Sequence, residues 1–391
     1  MFTIILANLS QNKTYSVVLI TIYARCSAYV SKKSRFNNYL CICYHNLYMP
    51  KEVIKNSKRM VWMDVARGFA IFLVVLSHSV STSSWEGIPE SSALSAIRDI
   101  FMPFRIPLLV FISGFLLEHS IKKGPRRYFD GKLRAVFWPF LIWAIIEAVV
   151  VDRGYSSGLI FDVLTTRTGT IWYLQFLMIS YVGFFLLYKS KIPLYVIAPF
   201  LIIISSYVPD IIEDNLLSRY VFLLGVMFLG VLAGRNVRMW ENISRKTPVL
   251  VATGGVTMWL AWLSLHGEMV RYNAVYAPWT ILSLVFITGV MMRIPVKSYV
   301  SRFLSFVGRN SIVYYVVHCS LLVVMFRTIN SQGWIDNWGD GISTIVTSLT
   351  FVVAMAVMTG LVLLQKKFPI LNIPFRFPGS YKPKKNIVIK S

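Results

Sequence analysis

Five ionisable side chains, Arg67, His78, Arg105, Glu147 and His318, stand inside apolar stretches. Charge in a membrane-length apolar run is expensive unless it is paired or faces a polar path, so each marks a candidate site. Arg67 and His78 are eleven positions apart. That is about 16 Å along a helix, and eleven steps of about 100° return to nearly the same face. Both therefore look into one interior path, Arg67 near the start of its helix and His78 deeper. A histidine that titrates near neutral pH can deprotonate a hydroxyl as general base or accept a transferred group itself. An arginine suits a phosphate or a polarised carbonyl.

The alternatives are structural. Arg67 can snorkel or pair with Asp64, and His78 can cap its helix near an interface. Glu147 needs a partner. His78 or His318 would serve, because a carboxylate fixes a histidine's tautomer and raises its basicity; a hydrogen bond to a neighbouring Ser or Tyr is the other option. His318 falls at the depth of His78. Arg105, between Pro103 and Pro107, suits an anionic or glycan group, or reaches outward to headgroups. Trp172-Tyr173 and Tyr314-Tyr315 sit near span ends, where interfacial belts and sugar stacking both place aromatic residues.

The elements that must hold these residues are membrane helices. The chain has 391 residues, 56% hydrophobic and 15% charged, with a mean hydropathy of +0.61. A soluble domain carries about 25% charged residues, so a soluble enzyme is excluded. Ten apolar stretches of near-bilayer length occur, at 62–82, 100–118, 133–151, 170–188, 192–208, 218–234, 248–266, 275–292, 306–327 and 342–364. The expectation is an all-α polytopic integral membrane protein of about ten transmembrane helices. Alternate loops carry 27 Lys and Arg on one side against 6 on the other, which makes both termini cytoplasmic. The net charge of +23 is thus a topology signal and does not call for a nucleic-acid partner.

Residues 1–59 differ in composition from the rest and read as an extension, with translation starting at Met49 or Met60. A membrane domain follows over 60–365, then a basic cytoplasmic tail over 366–391. The cluster Cys41, Cys43 and His45 lacks a second ligand pair at zinc spacing, so no metal is expected. No glycine-rich phosphate loop, H-E-x-x-H or G-x-S-x-G motif is present.

Five segments, in order, resemble the membrane acyltransferase-3 family. They are Asp64-Val-Ala-Arg67-Gly68 with Leu76-Ser77-His78; Phe104-Arg105-Ile106-Pro107-Leu108 with Ser113-Gly114-Phe115; Lys132-Leu133-Arg134 ahead of Pro139-Phe140; Ile171-Trp172-Tyr173-Leu174; and Gly308-Arg309-Asn310-Ser311 with Tyr314-Tyr315 and His318. Arg105 stands where many relatives carry histidine, and Lys132 with Arg134 replaces an Arg-x-x-Arg seen in part of the family. The resemblance leans towards sugar O-acetyltransferases such as fucose 4-O-acetylases.

It implies transfer of an acetyl group from cytoplasmic acetyl-CoA, a substrate and not a bound cofactor, to a glycan hydroxyl at the outer face of a bacterial inner membrane. The acceptor would be a lipopolysaccharide, an exopolysaccharide or a lipid-linked sugar. His78, Arg67, Glu147 and His318 are the implied catalytic group. Arg105, Trp172, Asp64, Lys132 and Arg134 are the implied substrate-binding residues, with Lys122, Lys123, Arg126 and Arg127 near the donor's path. A polytopic exporter or flippase is the alternative, but it predicts matching helix-broken halves, and none is visible.

Overall fold

The computed structural model describes residues 60–150, 171–190, 192–209, 215–269, 271–333 and 338–377. The 1–59 extension with its Cys41, Cys43 and His45 cluster, the loop over 151–170 and the end of the basic tail lie outside the described residues. Among the described residues every regular element is helical.

In chain order the main helices are α1 (Val61–Trp85), α2 (Ser92–Phe101), α3 (Arg105–Phe115), α4 (Trp138–Val150), α5 (Trp172–Ser190), α6 (Leu194–Ser205), α7 (Asn215–Arg235), α8 (Thr247–Leu265), α9 (Ala277–Arg293), α10 (Tyr299–Arg309), α11 (Ser311–Asn330) and α12 (Asp340–Lys367). Eight segments among the described residues are long and apolar enough to cross a membrane, which makes the chain an all-α polytopic membrane protein.

Two of the ten expected spans fall short of that standard. Gln175, several tyrosines and Lys189 dilute the apolar character of α5, and α6 has only 12 residues with Pro199 inside it. The ninth stretch also divides. Gly308, Asn310 and the polar face of 299–309 make α10 a short amphipathic helix, and the span proper, α11, begins at Ser311.

Two breaks matter for the site. One candidate span runs over Ser92–Ile121, but Pro103 has no N–H to donate and interrupts it between α2 and α3. Arg105 is the first residue of α3 and is thereby carried into the interior. The third span starts at Pro125, earlier than the hydrophobic run suggests, and passes through a π-helical turn at Leu133–Phe137 before α4. Lys132 and Arg134 are therefore helical residues and not loop residues.

Helix α1 is the hub, packed against α10, α11, α3, α9, α2 and α12. Its side toward them is small and apolar, with Val65, Ala66, Ala70, Val74 and Val75 buried. Backbone meets backbone where α1 crosses α10. A Cβ on Gly68 would lie 1.9 Å from the carbonyl oxygen of Leu304, and one on Gly308 would lie 1.9 Å from that of Asp64. Helices α3 and α7 repeat the device, with Gly114 against the Met227 carbonyl and Gly230 against that of Phe111. Without a hydrophobic drive between helices in lipid, close approach at small residues is how such bundles hold together.

Candidate active site

A cavity of about 380 Å³ opens beside Arg67, between α1, α3, α5, α11 and the Pro125–Phe137 stretch. The residues that give it chemical character are Arg67, Lys132, Ser113, Tyr173, Tyr181 and Tyr315. None of its described lining residues is acidic, and Arg67 makes no ion pair among the described residues. Lys132 Nζ lies 4.0 Å from the centroid of the Tyr181 ring and 5.6 Å from that of Tyr128. This cation–π contact holds the ammonium in place while leaving its hydrogen-bond donors available. The result is a cationic chamber lined by hydroxyls, suited to phosphates.

Tyrosines lead inward from the chamber. The Tyr173 hydroxyl lies 3.2 Å from Ser113 Oγ, and the Tyr173 backbone N–H donates to the Tyr315 hydroxyl at 3.2 Å. Their rings meet at 5.5 Å, and the Tyr315 ring is 5.7 Å from that of His318. Beyond them is the deepest feature, a histidine pair. His78 on α1 and His318 on α11 have ring centroids 5.0 Å apart.

His318 is fully buried, and its Nδ1 lies 2.6 Å from the carbonyl oxygen of Tyr315. A carbonyl only accepts, so Nδ1 carries the proton and Nε2 is a bare acceptor. That Nε2 is buried without a hydrogen-bond partner, as is His78 Nδ1. The pair thus combines a fixed tautomer with an open basic nitrogen, the arrangement a general base requires.

Arg105 is the first residue of α3, which packs against α1. Its Nη1 is buried without a hydrogen-bond partner. Glu147 is buried on α4, which packs against α11. Asp64 is also buried, one turn before Arg67, and its carbonyl receives the close approach of Gly308.

Two expected binding residues have other occupations. Arg134 donates from Nε to Asp130 Oδ1 at 2.7 Å and lies against Phe377, away from the chamber lining. Trp172 carries the Arg219 guanidinium over its ring at 4.8 Å and stacks with Tyr220 at 6.2 Å. Its aromatic surface therefore supports protein groups.

Sequence reasoning read Tyr173 and Tyr315 as belt or sugar-stacking aromatics, not as the wall of a cationic chamber, and did not reach Tyr181, which lies mid-span among apolar residues. It also missed the packing role of Gly68, Gly114 and Gly308. Their signal was their position inside three of the five segments that carry the family resemblance.

A family model described as an acyltransferase domain matches residues 60–364. Among curated proteins, the chain is 24% identical over 227 residues to the nodulation protein NolL of Mesorhizobium japonicum, covering 56% of this chain and 59% of that protein. It is 22% identical over 351 residues to the inner membrane protein YcfT of Escherichia coli, covering 79% of this chain and 93% of that protein. The alignment thus spans just under three-fifths of NolL. No solved structure matches the chain.

Proposed function

The chain belongs to the acyltransferase-3 family of membrane proteins, and we propose that it is an O-acetyltransferase moving acetyl from cytoplasmic acetyl-CoA to a hydroxyl of a surface glycan. The relative named as an inner membrane protein supports a bacterial inner-membrane location. The basic loops face the cytoplasm in this reading.

The donor's phosphates lie in the chamber between Arg67 and Lys132. Its thioester extends past Tyr173 and Tyr315 towards the histidines. Arg67 and His78 stand about 16 Å apart along α1, a gap for the extended arm that joins the phosphates of coenzyme A to its thiol. The acceptor reaches the histidine pair from the opposite face.

His318 Nε2 and His78 then act as a unit, one removing the proton from the acceptor hydroxyl as its oxygen attacks the thioester carbonyl. The C–S bond breaks, and the departing thiolate takes up that proton. Arg105, whose Nη1 is buried without a hydrogen-bond partner, stabilises the carbonyl oxygen as it gains negative charge. Burial of Glu147 against α11 suits a role in holding that helix and its Tyr315.

The observation that carries this reading is the buried pair of histidines, one with its tautomer fixed and its second nitrogen open. The test is the mass spectrum of surface glycan from a deletion strain complemented with wild type, His78→Ala or His318→Ala. Each variant should reach the membrane at wild-type level and lose about 10²- to 10⁴-fold in acetylation rate. Full acetylation in either variant would remove the histidines from the chemistry.

A further inference from the structure

A second cavity, of about 220 Å³, lies at the end of the bundle opposite the Arg67 chamber. Its place follows from α7. That helix ends at Arg235, whose Nε donates to Glu118 Oε2 at 2.5 Å beside Lys122, and Arg219 is sixteen residues earlier, about 24 Å away along the axis. The polar part of its lining is Arg219, Arg271, Tyr272, Asn273, Ser206 and Ser218.

The polar atoms of this lining are sorted by sign. Ser206 Oγ is occupied by the Ala274 N–H at 2.8 Å, and Ser218 Oγ donates to the Ser205 carbonyl at 2.7 Å. Asn273 Oδ1 accepts from the Val275 N–H at 2.8 Å, which leaves its Nδ2 as a donor. Two guanidiniums remain, and neither is ion-paired among the described residues. Arg219 Nε is buried without a hydrogen-bond partner. No described lining residue is acidic. A site whose available groups are cations and donors selects an anion.

The site is also constructed at some cost. Arg219 is clamped between aromatic rings, 4.8 Å from the Trp172 centroid and 5.5 Å from that of Tyr272. Tyr272 takes φ 57°, the one non-glycine positive φ among the described residues. Such left-handed backbone is unfavourable for a bulky residue and is retained where surrounding structure enforces it. From Arg219 a run of rings, Trp172, Tyr173, Tyr315 and His318, leads to the histidine pair, with successive centroids 6.2, 5.5 and 5.7 Å apart.

We propose that this cavity binds a carboxylate or phosphate carried by the acceptor glycan, so that the substrate class is an acidic sugar or sugar phosphate. The inference rests on the acyltransferase reading for the acceptor's role, but its test does not use acyl transfer. Full-length protein in neutral detergent is titrated calorimetrically with glucuronate, glucose 1-phosphate and glucose. The acidic sugars should bind at least about ten-fold tighter than glucose, and the stronger of the two identifies the anionic group. Arg271→Gln, at an exposed side chain, should remove that preference without changing thermal stability, and Arg219→Lys should weaken it about ten-fold through loss of the guanidinium fork.

Equal affinity for glucose and the acidic sugars overturns the proposal. So does an undiminished preference in Arg271→Gln, or displacement of phosphatidylglycerol as the only binding event. Acidic sugars that bind here in a protein whose histidine variants leave acetylation unchanged would uphold this site and sink the acyl-transfer reading alone.

Discussion

Lys132 and Arg134 are two residues apart, and the π-turn that starts between them sends one onto the Tyr181 ring in the chamber and the other to Asp130. A π-turn inserts an extra residue into the helical repeat and redirects the side chains around it, and such turns recur at functional sites. If the chamber holds the donor's phosphates, Lys132→Ala raises KM for acetyl-CoA about ten-fold with a smaller change in kcat, because a charge-assisted contact is lost in ground and transition state alike. Arg134→Ala leaves both constants within about two-fold, since it removes an exposed i,i+4 pair. Steady-state kinetics in membranes with varied acetyl-CoA separate the two, and equal effects would place the phosphates elsewhere. This contrast was not legible in the sequence, where both residues look like loop cations ahead of a hydrophobic run. The placing of Arg67 and His78 on one helix was legible, because eleven positions fix their face and spacing without any tertiary information. The contact between His78 and His318 needed more. Depth placed them at one level, but only the packing of α11 on α1 brings their rings to 5.0 Å.

At the scale of elements, the same segments that carry the chemistry carry the packing. Gly68 follows Arg67 directly, and its lack of a side chain lets α10 press against α1. Gly68→Ala or Gly308→Ala forces a Cβ to within 1.9 Å of a backbone carbonyl, so the helices must separate. The expected cost is about 1–3 kcal/mol from overpacking, read as a lower unfolding midpoint in detergent and as lost acetylation, because Arg67 moves with its helix. Gly255→Ala on α8 is the control. No heavy atom lies within 4 Å of its added Cβ, and alanine is the better helix former by about 1 kcal/mol, so the midpoint stays or rises. Equal losses in all three would show that the crossing is not tight. Hydropathy made the long helices readable, since length and apolar content are local properties. It was less informative at α5, α6 and α10, where Gln175, tyrosines and Lys189 dilute one helix, Pro199 and a length of 12 residues limit the second, and an amphipathic turn precedes the span proper in the third.

At the scale of the whole molecule, charge asymmetry and the two cavities make one claim about direction. The Arg67 chamber lies at the end where Arg235, Lys122 and the other basic loop residues gather, and the Arg219 cavity lies at the other. The proposed reaction, with its donor made in the cytoplasm and its acceptor displayed outside, requires the first end inward, and the excess of Lys and Arg predicts the same orientation. The two can be tested together by thiol labelling in intact cells, with Cys26, Cys41 and Cys43 replaced by Ser and buried Cys319 left in place. Lys123→Cys, exposed in the basic turn, should resist a membrane-impermeant maleimide until the inner membrane is permeabilised. Val275→Cys, 70% exposed beside the Arg219 cavity, should react at once. The reverse pattern would put the cationic chamber outside, away from any pool of acetyl-CoA, and would end the proposed reaction even if the histidine pair proved essential.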